Sequence, residues 1–376
     1  MKAFVPCLAG VLLLAVGCAS PHSRATRSQP LKSGDPVADG KARIEQGPAK
    51  DRVLWQYRTA LAALRRGQND EAKSLLDDAL LTLGGINAND KDAKKARGYF
   101  NEEARKAFRG EPYERAMAYY YRGILYWMDG EPDNARACFR SAQFHDSDAE
   151  NKEYAGDFVL MDYLDGLVTA KLAGDGSDAA SRAAQTYGKG PLPPLDPAAN
   201  TLFFVEFGRG PTKYATGEYS QQLRFHVAQS PARSARLRFG ERTLDLPAYD
   251  DLNFQATTRG GRVMDHILAN KAVFKSTTDA VGTAALISGA VLAGSRNNQD
   301  VGLGLLAAGL LGKIVSSATT PAADTRCWEN LPQYLSFAAV ELPPGTHHGT
   351  VEFLDASGAP ISKYTKTVSI NVATPP

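Results

Sequence analysis

The chain has 376 residues, enough for two domains with separate hydrophobic cores, and its 43% hydrophobic and 22% charged content is ordinary for a globular protein. A formal net charge of +2 gives no strong basic field, which argues against a dedicated nucleic-acid binder. Four cysteines do not make a disulfide scaffold: Cys7 and Cys18 lie near the N-terminus, and Cys138 and Cys327 either pair in an oxidising compartment or are ordinary buried thiols.

Residues 1–17 read as a secretory signal peptide, because one early Lys precedes an apolar run, Ala3 to Val16, that is too short to span a membrane. Ala15-Val16-Gly17-Cys18 resembles the lipobox of bacterial lipoproteins. The resemblance implies cleavage before Cys18 and acyl chains on its thiol; an ordinary cleaved signal is the alternative. Ala19 stands where an inner-membrane retention signal has Asp, which favours the periplasmic side of the outer membrane.

Residues 18–50 hold almost no large apolar side chains and many Pro, Gly, Ser and charged residues. Such a stretch cannot offset the entropy of ordering, so it predicts a flexible tether between the lipidated Cys18 and the body of the protein.

Residues 51–187 have the apolar period of helices, clearest from Tyr113 to Asp146. Gly123 and Ala135 would let two helices approach closely, and Gly130 to Asp133 would form the turn between them. With Tyr119, Tyr126 and Phe139 alongside, the pattern resembles the tetratricopeptide repeat, a pair of antiparallel helices. Degenerate copies are predicted around Gly67 and from Asp157 to Tyr187, with an additional helix over Asp90 to Gly110.

The first helix of each such unit lines a concave surface, so the resemblance predicts where a protein partner would bind. The predicted partner-binding residues are Tyr57, Leu61, Met117, Tyr120, Ile124, Trp127 and Met128. This face is unusually apolar. Either another part of the chain covers it, or it receives an apolar or helical partner.

Residues 188–376 begin with a Gly- and Pro-rich linker, Gly188 to Pro197, and continue with short strand-like runs. The predicted strands are Thr201–Phe207, Gln221–Ala228, Ala235–Phe239, Leu252–Thr257, Tyr334–Leu342, Gly349–Leu354 and Ile361–Val372. Short strands of this kind predict a small β-sandwich. The expected fold is therefore multidomain, with a tetratricopeptide-type helical domain followed by a β-sandwich.

An apolar insertion interrupts the predicted sandwich at about residues 262–324. Residues 280–294 and 301–312 carry no charge and are too short, as helices, to cross a bilayer. Small residues fall on one stripe of each helix: Ala285, Gly289 and Ala293 in the first, and Gly304, Ala308 and Gly312 in the second. The helical hairpin is either buried against the fold, or it self-associates or lies in a membrane.

No constellation of residues predicts catalysis, a cofactor or a metal site. His347 and His348 are neighbours whose side chains point apart, and no further ligands complete a metal shell. The carboxylate pairs Asp77-Asp78 and Asp250-Asp251 are predicted to lie on solvated faces without partners. The chain is therefore expected not to be an enzyme.

The whole layout resembles a family of uncharacterised bacterial lipoproteins with tetratricopeptide repeats and a glycine-rich C-terminal hairpin. The features that carry the resemblance are the run from Tyr113-Glu114-Arg115 to Tyr121, the glycine-rich hairpin, the run from Ala323 to Trp328 leading to Leu331-Pro332, and the run from Leu342 to His347. The resemblance implies an envelope protein, with a hint of cell-wall or envelope assembly. The expected function is a lipid-anchored, non-catalytic scaffold that binds protein partners; the alternative is a membrane-associated assembly or pore-type component that forms homo-oligomers through its hairpin.

Overall fold

The computed structural model describes residues 33–88, 107–147, 156–258 and 322–373. Cys18 and the six small residues of the predicted hairpin lie outside these ranges, as does most of the helix predicted over Asp90 to Gly110. The part of the chain that the structure describes contains both α-helices and antiparallel β-sheets.

The N-terminal half of the described chain is helical. Its helices are α1 (Pro36–Gln46), α2 (Arg52–Leu64), α3 (Asn69–Ala88), α4 (Pro112–Met128), α5 (Pro132–Asp146), α6 (Val159–Lys171) and α7 (Ser177–Tyr187), with a 3₁₀ turn at Ala49–Asp51. Consecutive helices pack as pairs, α2 with α3, α4 with α5, and α6 with α7.

Helix α1 corrects the prediction of a flexible tether for residues 33–50, the described part of the predicted range 18–50. The Asp35 carboxylate accepts hydrogen bonds from the backbone N–H of Val37 at 2.8 Å and of Ala38 at 3.3 Å, which caps the helix, and Pro36 occupies its first turn. Val37 is buried, and Gly40 lies so close to Thr59 of α2 that an added Cβ would collide with that side chain. Packing against α2 therefore orders the segment despite its polar composition.

The helix pair predicted between Tyr113 and Asp146 is confirmed as α4 and α5. Gly130 forms the turn with φ of +76°, a conformation that glycine adopts without strain. A Cβ at Gly123 would lie 2.7 Å from the ring of Phe139, and Ala135 is fully buried on the same seam. The small residues thus allow the close approach that the sequence predicts.

The described strands are β1 (Thr201–Phe207), β2 (Thr212–Thr216), β3 (Gln222–His226), β4 (Ser234–Phe239), β5 (Arg242–Pro247), β6 (Asp250–Asp251), β7 (Tyr334–Val340), β8 (Gly345–Leu354) and β9 (Lys366–Val372). They form antiparallel sheets in the orders β1-β7-β6, β2-β3 and β5-β4-β8-β9. Strands β2, β5 and β6 are additions to the predicted set, and a 3₁₀ turn, Ser362–Tyr364, precedes β9.

The predicted strand Leu252–Thr257 is wrong, because this segment is a short helix, α8. The Asp251 side chain caps it by accepting a hydrogen bond from the backbone N–H of Asn253 at 2.9 Å. Leu252 and Ala256, four positions apart, are both buried, whereas Phe254 between them is 45% exposed. That spacing is typical of a helix face rather than of a strand.

The sheet β1-β7-β6 is buried on both faces. Phe204 of β1 pairs in register with Phe337 of β7, and these rings contact the helices, at 6.1 Å from Tyr120 and 5.6 Å from Tyr163 respectively. On the opposite face, Val205 and Phe207 share a second buried cluster with residues of β4, β5 and β8. One core includes residues from both the helices and β7, so the helical and strand-rich halves pack against each other.

Candidate functional site

The surface predicted to bind a partner is covered by the chain itself. Tyr57, Leu61, Met117, Tyr120 and Ile124 are all buried in the core shared by helices and sheet. Trp127 is half-buried and Met128 is 59% exposed, so only the C-terminal end of α4 reaches solvent. Of the two alternatives given by the sequence, cover by another part of the chain therefore describes these five residues: apolar side chains of the strand-rich half, such as Trp328 and Phe204, pack against them.

Residues 323–331, which we call the bridging segment, supply the central part of this cover. The Trp328 ring stacks on Tyr57 with 4.6 Å between centroids and lies 5.8 Å from Tyr121. Trp328 and Leu331 are both buried in the shared core. The bridging segment thus packs into the same helices that the sequence predicts to be a partner site.

A buried ion pair fixes the bridging segment to the start of α4. The Lys213 side chain is 2% exposed, and its Nζ lies 2.7 Å from Glu114 Oε2 and 3.2 Å from Glu111 Oε1. Glu114 is itself fully buried and accepts a hydrogen bond from the Trp328 backbone N–H at 2.6 Å. Lys213 Nζ also donates to the backbone carbonyl of Arg326 at 3.0 Å. Each buried charge therefore has a partner of opposite sign, which is the condition for burying it without a large loss of free energy.

Glu114 has a second role in the helix it belongs to. Its Oε2 accepts a hydrogen bond from the backbone N–H of Glu111 at 2.7 Å, which completes a capping box at the first turn of α4. The Glu114 carboxylate therefore bonds at the same time to the first turn of α4, to Lys213 and to the backbone of the bridging segment.

Two arginines add further polar contacts to the bridging segment. The Arg326 guanidinium lies 2.7 Å from Asp51 and 2.6 Å from Asp324, and its carbon lies 5.6 Å from the ring centre of Phe108. Arg58 of α2 donates to the Cys327 carbonyl at 2.7 Å. These contacts hold the bridging segment against both α2 and the 3₁₀ turn, Ala49–Asp51, that precedes α2.

The bridging segment also follows the predicted apolar hairpin. At its first residue, the Ala323 backbone N–H donates to the Ser220 carbonyl at 2.7 Å, and the Ala323 side chain packs with Leu223 of β3. Helix α8, which precedes the hairpin in the chain, also contacts β3. Both described flanks of the insertion are therefore attached beside the β2-β3 pair.

A second buried acidic group lies where the sheet meets α6. The Asp250 carboxylate accepts hydrogen bonds from the backbone N–H groups of Val159 at 2.7 Å and Leu160 at 3.0 Å, which caps α6. Burial raises the pKa of Asp250 to about 7 and that of nearby Asp157 to about 6. The prediction that Asp250 lies on a solvated face is therefore wrong. Asp77 also has a partner, since Arg122 donates to it at 2.6 Å.

The described residues contain no group of three or more His, Cys, Asp or Glu that could hold a metal ion. Cys138 and Cys327 are buried and unpaired, which decides between the two alternatives given by the sequence. Burial raises the pKa of the Cys138 thiol to about 11, so it is protonated at neutral pH. Within the described ranges, no helix has both the length and the apolar character that a membrane span requires.

The sequence identifies some of the residues that attach the bridging segment to α4, but it does not show that they come together. Glu114 and Trp328 stand in two of the runs that carry the family resemblance, and the structure brings these runs into direct contact. The pair Glu111 and Glu114 around Pro112 is a recognisable helix start. Lys213 carries no comparable signal, because a single lysine in a strand is ordinarily solvated.

Comparisons with models of protein families, with curated proteins and with solved structures gave no match to this chain. A functional assignment therefore depends on the residues of the chain and on their geometry.

Proposed function

We propose that the protein is a lipid-anchored, non-catalytic scaffold of the cell envelope, attached through Cys18 to the periplasmic side of the outer membrane, that binds protein partners. The packing of α2–α3, α4–α5 and α6–α7 supports three tetratricopeptide-like pairs. The shared core of the sheets β1-β7-β6 and β5-β4-β8-β9 supports a β-sandwich.

The observation that carries the scaffold proposal is the distribution of exposed apolar side chains on the helices. Leu81 of α3 is 78% exposed, Phe144 of α5 is 73% exposed and Met128 of α4 is 59% exposed. Single exposed apolar residues are ordinary on a protein surface. Three such residues on three of the described helices, whose inner faces are already covered, favour partner binding on the outer surface of the helical layer.

Site-specific crosslinking in cells tests this proposal. A photoreactive amino acid would be placed separately at Leu81, Met128 and Phe144, with the exposed Val227 and Phe254 as control positions on the strand-rich half. We expect discrete crosslinked protein species from the helical positions and not from the two controls. Equal crosslinking at all five positions, or none at the helical ones, would contradict partner binding by the helical layer.

The second candidate function, assembly of copies through the glycine-rich hairpin, is favoured by the attachment of the insertion. Both of its described flanks lie beside β3, and the bridging segment is held by the Lys213–Glu114 ion pair. An insertion held at both ends on one side of the fold is suited to presenting a helical hairpin to another copy. The substitution Gly289→Ile tests this candidate, because it changes the small-residue stripe of the predicted hairpin.

A further inference from the structure

A cavity of about 380 Å³ opens at one end of the two large sheets. Its wall contains the end of β1, the loop after β3, the Phe353 side chain of β8 and the start of β9. The rings of Phe207 and Phe353 lie 5.6 Å apart, and Tyr364 also lines the space. The lining is mainly apolar, and the volume falls in the range of about 300–1,000 Å³ that is typical of small-molecule sites.

Two cationic side chains, Arg209 and Lys366, also line the cavity, and both are exposed. Among the contacts of the described residues, neither side chain forms an ion pair or a hydrogen bond. No residue that lines the cavity is acidic. By contrast, Arg233 close by in sequence already donates to the Tyr334 hydroxyl at 2.8 Å and to Gln229 at 2.6 Å. The cavity therefore combines an aromatic interior with two cations that have no anionic partner among the residues the structure describes.

The cavity wall is held in place by hydrogen bonds, so the site is pre-formed. The Gln333 side chain accepts from the Ser230 backbone N–H at 3.2 Å, and the Gln333 backbone N–H donates to the Phe207 carbonyl at 3.1 Å. Gly208, at the end of β1, has φ of +76°. A Cβ there would lie 2.8 Å from the Gln333 side chain, so the end of β1 packs closely against Gln333. A pre-formed site binds its ligand without the entropy loss of ordering a loop.

We propose that this cavity binds a small amphipathic carboxylate, with its apolar body against Phe207, Phe353 and Tyr364 and its carboxylate beside Arg209 and Lys366. A guanidinium and an ammonium suit a single carboxylate, since charge-assisted hydrogen bonds to it are strong and directional. Phosphate sites commonly add the N-terminus of an α-helix, and none of the described α-helices contributes a residue to the lining. This site is independent of the proposed scaffold function.

Calorimetric titration with decanoate and with its uncharged counterpart 1-decanol tests the proposal. The protein would be the full chain carrying Cys18→Ser, which lacks the lipid, and decanoate would be kept below its micelle concentration. We expect saturable binding of one decanoate and much weaker binding of decanol. Equal affinity for both, or no saturable binding of decanoate, would overturn the proposal.

Three substitutions locate the binding. Arg209→Gln combined with Lys366→Gln should weaken decanoate binding by about tenfold or more, as expected for losing charge-assisted hydrogen bonds. Lys189→Gln is the control, because Lys189 is exposed, carries a positive charge and does not line the cavity. Ala228→Trp, at an exposed lining position, should fill the space and abolish binding. An effect of Lys189→Gln equal to that of the double variant, or full binding in Ala228→Trp, would place the ligand elsewhere and overturn the assignment.

Discussion

The Glu114 carboxylate accepts a 2.6 Å hydrogen bond from the backbone N–H of Trp328, a residue 214 positions away. Through this contact the first turn of α4 is joined to the bridging segment, and Lys213 neutralises the same carboxylate at 2.7 Å. The relationship explains why the helical and strand-rich halves share one core. It also explains why the apolar face of the helices is closed to partners.

Lys213→Met should lower the free energy of unfolding by about 3–5 kcal/mol, because it leaves the Glu114 carboxylate buried without its cation. Urea denaturation at neutral pH measures the change. Lys41→Met is the control, since Lys41 and Glu71 form an exposed pair at 2.9 Å that should contribute little. Lys213→Met combined with Glu114→Gln should recover part of the loss. Equal stability of the Lys213 and Lys41 variants would show that the buried pair is not a point of attachment.

Local patterns were sufficient to predict α4, α5 and the turn at Gly130, because the residues that define them are neighbours in sequence. Composition does not predict helix α1, because its order depends on Thr59 and other residues of α2. The predicted strand Leu252–Thr257 is a helix that begins at the cap from Asp251, a side-chain hydrogen bond that the strand-like run does not reveal. The site was least predictable, since Trp328 and Lys213 reach Tyr57 and Glu114 only through the tertiary fold.

Gly123→Leu should destabilise the protein by about 1–3 kcal/mol through overpacking, because a Cβ at this position already lies 2.7 Å from the ring of Phe139. Thermal unfolding followed by circular dichroism measures the loss. Met128→Leu, at an exposed position of the same helix, is the control and should leave the melting temperature nearly unchanged. If Gly123→Leu has the same melting temperature as the wild type, α4 and α5 do not form this close seam.

Stability should depend on pH through Asp250, whose pKa is raised by burial from 3.8 to about 7. Between about pH 4 and 7 the folded protein keeps this proton while the unfolded chain has lost it. Protonated Asp250 therefore stabilises the folded protein most at low pH. As the pH rises toward 7, the free energy of unfolding falls by an amount on the order of a few kcal/mol. Asp157, with a pKa raised to about 6, acts in the same direction.

Asp250→Asn isolates this contribution, because the amide does not titrate. The amide keeps one oxygen, which can accept from the N–H of either Val159 or Leu160, and the loss of the other hydrogen bond lowers stability equally at every pH. Melting temperatures of both proteins would be measured from pH 4.5 to 8. We expect the wild type to lose stability relative to the variant as the pH rises, with the difference levelling off above pH 7. Parallel curves across the whole range would show that burial does not shift the pKa of Asp250.

Cys18→Ser tests the proposed lipid anchor. Without the thiol no acyl chain can be attached, and each buried CH₂ of such chains contributes about 0.8 kcal/mol to membrane binding. We expect the variant to move from the membrane fraction to the soluble periplasmic fraction and to lose detergent partitioning. Retention in the membrane with unchanged partitioning would mean that the chain is held there by something other than a lipid on Cys18.

Gly289→Ile distinguishes the two roles of the predicted hairpin, a segment outside the described residues. In a contact within one chain, the new side chain would overpack the seam formed by small residues such as Ala293 and Ala308, and the melting temperature should fall. In a contact between copies, the monomer should keep its stability while the mass in detergent decreases. We expect the first result, because the two charge-free segments, residues 280–294 and 301–312, are too short to cross a bilayer as helices.

Gly312→Ile provides a second substitution on the same stripe, at the end of the second segment. For an internal hairpin seam, both variants should lower the melting temperature, and neither should change the mass, which light scattering in detergent would report. A wild-type oligomer that dissociates in both variants without a change in melting temperature would contradict the internal seam. That outcome would make assembly through the hairpin the leading function, because the stripe would then be an interface between copies that is dispensable for the fold of each one.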